Sequence, residues 1–425
     1  MSKKFVLSPN DLNETVELIK QLVKIPTESP IGKGYIEFVD FTESVIRKKV
    51  PKVKIDKIVI PSEFYASFPE FNKSMDNKRV VLILKTLLNG KPKAHLNGHY
   101  DVVEAGDLQK WTICPPYEPK VINGRIYGRG ACDMKGSIAT LIKALEIIYR
   151  ENRNILYDLD ISFTPDEEVG SFSGLRYLID ETKKGNKFIE GNFFFSLDAT
   201  QNEICIGKTG IIHFEIEVLG ESAHIASSFT GINAINLAVP FLNELIDLKV
   251  EVEQRVSKYP CNSDLPIAYV RPNLNITSIS GGFSESSVPD RCLIRGNRTV
   301  IPDESENPMM DAQNELINLI LRVKQSYQIK INFYVRKGMP ASVCPDNLPD
   351  LLRFRKIASR DNQTLFPAGC SNSSNDIVWV KEELNIPFFN RGVQREGCNV
   401  HGYNENVPIE NLKIAIEDLV NFLSD

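Results

Sequence analysis

Residues 95–101, His95-Leu96-Asn97-Gly98-His99-Tyr100-Asp101, run from a short strand-like segment into an imidazole and a carboxylate two positions apart. Side chains two apart on a strand point to one face. Asp101 can therefore accept one ring N–H of His99 and fix its tautomer while the other nitrogen binds a metal. Three further segments put the same chemistry at the ends of predicted strands: Gly130-Ala131-Cys132-Asp133-Met134-Lys135-Gly136, Thr164-Pro165-Asp166-Glu167-Glu168-Val169-Gly170, and Ser196-Leu197-Asp198. A fifth, His401-Gly402-Tyr403-Asn404-Glu405, lies near the C-terminus. Open α/β sheets place ligands where strands end, so the pattern points to a site there.

Each segment has an ordinary reading when taken alone. His-x-Asp is a common tripeptide, Asp133 between Gly130 and Gly136 is an Asp in a glycine turn, and Glu167-Glu168 is a solvated acidic turn. His401 is a surface histidine in a stretch rich in Gly and Asn. Asp198 is less easily dismissed, because it ends the apolar run Phe193-Phe194-Phe195-Ser196-Leu197, where a charge without a partner is costly. Adjacent Glu167 and Glu168 point in different directions, so one can bind a metal while the other faces the metal's water.

Hydrophobic periodicity supplies the surrounding architecture. Val16, Ile19, Leu22 and Val23, then Ile36, Phe38, Phe41 and Val45, predict two opening helices around a turn at Pro26 to Gly34. Strand-like runs follow at 54–60, 80–87 and 95–96, then a compact helix at 140–149 and a strand at 159–164. Strands alternating with helices imply an α/β layer with a mostly parallel sheet. A second pattern, strand 211–218, helix 232–248, strands 274–280 and 292–301, helix 309–326 and strand 330–335, reads βαββαβ, an α+β unit of ferredoxin-like type. The α/β style resumes with 351–359, 377–384 and a final helix at 412–423. The expected organisation is one α/β domain, 1–208 and 338–425, interrupted by an inserted α+β domain at 209–337.

A chain of 425 residues exceeds the usual single-domain size, which agrees with that division. Apolar residues make up 42% and charged residues 25%, the balance of an ordinary globular protein. A net charge of -5, a pI near 5.8 and no crowding of Lys and Arg exclude an electrostatic footprint for nucleic acid or anionic lipid. The opening Met1 to Pro9 does not read as a secretory signal, and no run approaches a membrane span, so a cytoplasmic protein is expected. Eight single cysteines without a Cys-x-x-Cys exclude a thiolate zinc knot and a disulfide scaffold. Any metal must be held by carboxylates and by some of only five histidines.

Taken together, the segments resemble the M20 metallopeptidase family, the group of acetylornithine deacetylase, succinyl-diaminopimelate desuccinylase, aminoacylase and related peptidases. The resemblance is strongest over Asn97 to Gly136, through Gly98-His99-Tyr100-Asp101-Val102-Val103, Trp111, Pro116 and Asn123-Gly124-Arg125-Ile126-Tyr127-Gly128-Arg129-Gly130-Ala131-Cys132-Asp133-Met134-Lys135-Gly136. It continues through Thr164 to Gly170, the inserted segment and His401. It implies that Asp133 bridges two divalent ions, one completed by His99 and Asp198 and the other by Glu168 and His401. Such a set suits zinc and would tolerate cobalt or manganese. Asp101 would orient His99, and Glu167 would be the general base that takes a proton from metal-activated water and returns it to the leaving amine.

The resemblance further implies that His224, in Gly220-Glu221-Ser222-Ala223-His224, reaches from the inserted domain of a partner subunit to stabilise an oxyanion, and hence that the protein is a homodimer. Arg298 is similar to a family arginine that grips a substrate carboxylate, against the plainer reading of a strand arginine in an ion pair. Asn275 is a further substrate-side candidate, and His95 and His213 are read as structural. The segment Gly369 to Asp376 matches the family poorly. The expected activity is removal of an acetyl or succinyl group from an N-acyl amino acid. The alternatives are an exopeptidase of the same family, acting as dipeptidase or carboxypeptidase, and a catalytically silent small-molecule binding protein.

Overall fold

The computed structural model describes residues 4–66, 77–171, 173–261, 266–359 and 364–425. Its contacts divide the chain into two units, Met1–Ile206 with Cys344–Gly369 and Asn375–Asp425, and Gly207–Val343 with Cys370–Ser374. Against the expected insertion at 209–337, the second unit runs on to Val343 and takes in Cys370–Ser374 from the following segment.

In the first unit four parallel strands lie in the order Asp158–Thr164, Lys93–His99, Phe194–Ser196 and Phe388–Asn390. All but the first residues of Lys93–His99 and Asp158–Thr164 are buried, as strands covered on both faces require. Val80–Lys85 adds antiparallel beside Asp158–Thr164, and Lys54–Val59 antiparallel beside that. Register decides where the chemistry falls. His99 pairs with Thr164 and Asn97 with Ser196, so the segments that follow, carrying Asp101, Glu167, Glu168 and Asp198, leave the sheet at one edge.

The expected helix at 140–149 begins earlier, at Lys135, and runs to Arg150 with most of its surface buried. It packs against the final helix, Ile409–Leu423, and against Pro9–Val23. The latter starts cleanly because the Ser8 hydroxyl accepts the Asp11 backbone N–H at 3.1 Å and Pro9 needs no intrahelical donor. The early start at Lys135 puts Asp133 directly before a helix N-terminus.

The second unit is a four-stranded antiparallel sheet in the order Asn273–Gly281, Arg291–Val300, Gly210–Leu219 and Lys330–Lys337, the interleaved order of a βαββαβ fold. Gly210–Leu219 alternates buried and part-buried residues with period two. Ile212, Phe214, Ile216 and Val218 form a core with Phe241 and Leu245 of helix Ala234–Glu253 and with Leu316 and Ile320 of helix Pro308–Tyr327. Asn233 caps the first helix, its Oδ1 accepting from Ile235 N–H at 2.9 Å, which is why it starts two residues after the expected 232. Among the described residues no helix is long and apolar enough to cross a membrane.

A Cβ on Gly136 would lie 2.3 Å from the Ala131 carbonyl oxygen, a backbone atom that cannot yield. Gly136→Ala is expected to destabilise the first unit by about 1–3 kcal/mol. Thermal unfolding followed by circular dichroism checks this, as an earlier transition than that of the parent protein.

Candidate metal centre

His99 is the last residue of its strand. Its Nε2 lies 3.2 Å from Asp133 Oδ1, and its Nδ1 lies 3.4 Å from Asp101 Oδ1 and 3.1 Å from the Asp101 carbonyl oxygen. The Nδ1–H therefore has acceptors on the Asp101 side, which leaves Nε2 as the ligand nitrogen. Asp101 has a second task. Its two carboxylate oxygens accept the backbone N–H groups of Glu167 and Glu168, each at 3.1 Å, pinning the Glu-Glu turn beside His99.

Asp133 is positioned by a residue to which sequence reasoning gave no role. Fully buried Glu405 accepts the backbone N–H groups of Gly130 at 2.9 Å and of Cys132 and Asp133 at 3.0 Å, and pairs with Arg129 at 2.7 Å. Gly130 takes a φ of 81°, a conformation that a side chain disfavours, so that this loop can fold over the carboxylate. The available signal was that Glu405 is the lone acid in the stretch 397–409.

His401 Nε2 lies 3.2 Å from Asp133 Oδ2 and 2.9 Å from Glu168 Oε2. The five residues expected to hold metal thus come together in two overlapping groups. One atom each of His99, Asp133 and Asp198 lie within 4.8 Å of one another, and likewise one atom each of Asp133, Glu168 and His401. Asp133 belongs to both. The donor set is nitrogen and oxygen only, and three protein ligands per group leave coordination positions open, as catalytic zinc-type sites do. The residues present fit a pair of divalent cations.

Like charges gathered in a buried place perturb one another. Burial, then the neighbouring Asp133 charge, raises Glu168 to about 7 despite its hydrogen bond to His401. Burial and the charges of Asp376, Asp198 and Glu168 raise Glu167 well above the carboxylate range. Burial raises Asp376 to about 6 although the Ser171 hydroxyl donates to it at 2.6 Å. For Asp133 burial is outweighed by hydrogen bonds from His401 and His99, which hold it below the usual range. His401, paired with Asp133 and Glu168, is raised to about 10.

The remaining candidates belong to the second unit. His224 precedes a short 3-10 turn, exposed, its Nδ1 accepting the Ala226 N–H at 3.2 Å. Asn275 is an exposed residue of strand Asn273–Gly281, with Lys249 Nζ at 3.5 Å from its Oδ1. Arg298, expected to grip a substrate carboxylate, lies on the strand Arg291–Val300. It is fully buried, paired with Glu304 and, at 2.8 Å, with Glu315. Strand parity is the reason, since Arg298 shares its face with buried Cys292, Ile294 and Val300. Its Nη2 meets carboxylates of its own chain, while Nε and Nη1 are buried with no hydrogen-bond partner among the described residues. His95, read as structural, is buried, stacked on Phe194 and bonded to Ser162 at 2.8 Å.

A family model described as Peptidase family M20/M25/M40 matches residues 95–425. A succinyl-diaminopimelate desuccinylase of Orientia tsutsugamushi (strain Ikeda) is 27% identical over 274 residues, which is 64% of this chain and 65% of that protein. One of Pelagibacter ubique (strain HTCC1062) is 28% identical over 241 residues, 56% of this chain and 58% of that protein. The alignment thus spans less than two thirds of the length of these curated relatives. Among solved structures, an M20 family metallo-carboxypeptidase from Sulfolobus solfataricus superposes with a TM-score of 0.73 at 16% identity, over 96% of this chain and 98% of that one. A dinuclear metal-binding peptidase of the M20 family from Bacillus subtilis gives 0.65 at 14% identity, over 98% of both chains. At such identities the likeness is one of fold.

Without a cation, His401 keeps its proton up to about pH 10 and Glu168 up to about 7. Metal ligands must be deprotonated, so zinc or cobalt binding near neutral pH is expected to release protons, and affinity is expected to rise with pH towards the His401 value. Titration calorimetry in buffers of different ionisation enthalpy reads the proton count. A heat independent of buffer would contradict the assignment.

Proposed function

This chain belongs to peptidase family M20/M25/M40, and from that premise we propose that it is a metal-dependent amidohydrolase that removes an acetyl or succinyl group from an N-acylated amino acid. The observation that carries the reading is the Asp133 carboxylate, whose two oxygens each face a different imidazole at 3.2 Å. Sequence relatives named succinyl-diaminopimelate desuccinylase support the substrate class.

His99, Asp133 and Asp198, and Asp133, Glu168 and His401, would hold two divalent ions, which when bound would supply Lewis-acid charge and lower the pKa of water so that hydroxide is available near neutral pH. Zinc is the ion this donor set suits best, with cobalt or manganese as substitutes. The chain's own residues do the rest. Asp101 holds the ring of His99 and the turn of Glu167 in one place. Glu167 lies outside both ligand groups, in a field that favours a bound proton, and serves as general base and then as acid towards the leaving amine. His224 serves as the oxyanion donor of a partner subunit. Its Nδ1 is taken up as an acceptor, so the neutral ring carries its proton on Nε2, free to donate.

Homodimerisation is supported by the second unit itself. Helix Ala234–Glu253 exposes Ile235, Val239, Ile246 and Val250 at helical spacing, an apolar stripe of the kind that water-facing helices avoid. Strand Asn273–Gly281 is one of the two edges of the sheet. A second reading, an exopeptidase acting on a dipeptide or a C-terminal residue, is favoured by the likeness in fold to a metallo-carboxypeptidase. A silent binding protein is disfavoured because Glu167 accompanies all five ligand residues.

Glu167→Gln is expected to cut turnover by about 10²–10⁴-fold while metal content stays unchanged, as initial rates and elemental analysis would read. Normal turnover would remove Glu167 from the mechanism. A panel of N-acetyl and N-succinyl amino acids against dipeptides separates the two readings, with faster cleavage of the former expected. Light scattering is expected to give twice the chain mass, and the pair Ile246→Glu with Val250→Glu to give the monomer and lose activity. A fully active monomer would refute the partner role of His224.

A further inference from the structure

We infer that three carboxamides, Asn375, Asn390 and Gln394, form a neutral clamp that sets Asp198 as the metal ligand on the His99 side, and that they act as positioning residues for one ion of the pair. The inference rests on the metal-dependent reading above and deepens it.

Asn375 Nδ2 donates to Asp198 Oδ2 at 3.1 Å and Gln394 Nε2 donates to Asp198 Oδ1 at 2.9 Å. Asn390 Nδ2 donates to the Asp198 carbonyl oxygen at 2.9 Å. Parallel register delivers the third contact, because Asn390 pairs with Ser196, two residues before Asp198. The backbone of Gln394 is fixed in turn, its N–H donating to Ala199 at 3.3 Å and its carbonyl accepting from Gln201 at 2.7 Å. Reversing either asparagine would aim an oxygen at an oxygen, so chemistry dictates the amide orientation.

That orientation leaves Asn375 Oδ1 and Asn390 Oδ1 buried with no hydrogen-bond partner among the described residues. A buried acceptor without a partner is unfavourable, and an apolar side chain of similar volume would avoid the penalty. Packing alone therefore does not account for amides here. Donation to Asp198 does.

The choice of neutral donors is also informative. Two other buried carboxylates in this unit are matched by arginine, Glu405 by Arg129 at 2.7 Å and Asp166 by Arg79 at 3.0 Å. Among the described residues no Lys or Arg pairs with Asp198. A cation there would cancel the charge that a metal needs and repel the metal itself. An amide on each oxygen takes up one lone pair, leaves the other free, and keeps the full negative charge. Among the described residues no amide side chain donates to Glu168, whose carboxylate pairs with His401. Loss of the amides is thus expected to weaken one ion and spare the other.

The test compares the parent protein with Asn375→Leu/Gln394→Met, and with Gln394→Met alone in case the double variant fails to fold. Zinc per chain is measured by elemental analysis across buffered free-zinc concentrations, and visible absorption is followed as the cobalt form is titrated. The expected result is two ions in the parent and a 10–100-fold weaker affinity for one ion in the variants, with the other unchanged and one of the two cobalt signatures altered. Gln394→Lys, which restores a donor but adds charge, is expected to weaken that ion at least as much as Gln394→Met. Two ions with unchanged affinities, equal weakening of both, or rescue by lysine would overturn the clamp. A parent protein that binds no metal would instead overturn the functional reading beneath it.

Discussion

A single carboxylate held between two imidazoles is the constraint on which the site depends. Asp133 meets His99 on one oxygen and His401 on the other. Around that axis lie Glu167, Glu168, Asp198 and Asp376; burial, and then the charges of neighbouring carboxylates, raise the proton affinity of Glu167, Glu168 and Asp376. Acids crowded at low dielectric must either keep protons or face cations. The two ligand groups that share Asp133 provide places for cations, and Glu167, which stands outside them, is left as the group with the affinity to take up a proton.

The scaffold serves this constraint through register and through hydrogen bonds to backbone. Parallel pairing brings the ends of three strands to one edge, so residues separated by up to about a hundred positions become neighbours. Two buried carboxylates then fix the loops. Asp101 holds the turn of Glu167 and Glu168 by its N–H groups, and Glu405 holds the turn of Asp133 in the same way. Neither contributes to the ligand groups, yet each determines where the ligands sit. The carboxamides on Asp198 extend the same logic to a carboxylate that must keep its charge.

Much of this was legible in the chain. The metal-type segments could be read because their spacing is local, as in His99 with Asp101 or Glu167 with Glu168. The βαββαβ order of the second unit could be read because period-two and helical patterns alternate cleanly from Ile211 to Val335. Glu405, Asn375, Asn390 and Gln394 could not, because their partners lie up to 276 positions away and are joined to them only by tertiary pairing. The burial of Arg298 was legible in another way. The alternation of Cys292, Ile294 and Val300 already placed it on the core face, so its burial follows from strand parity alone.

The most direct test of the shared carboxylate is an anomalous scattering map at the zinc edge from crystals grown with zinc. The account predicts two peaks flanking Asp133, one beside His99 and Asp198 and the other beside Glu168 and His401. A single peak that leaves one Asp133 oxygen without metal, or peaks remote from Asp133, would contradict it.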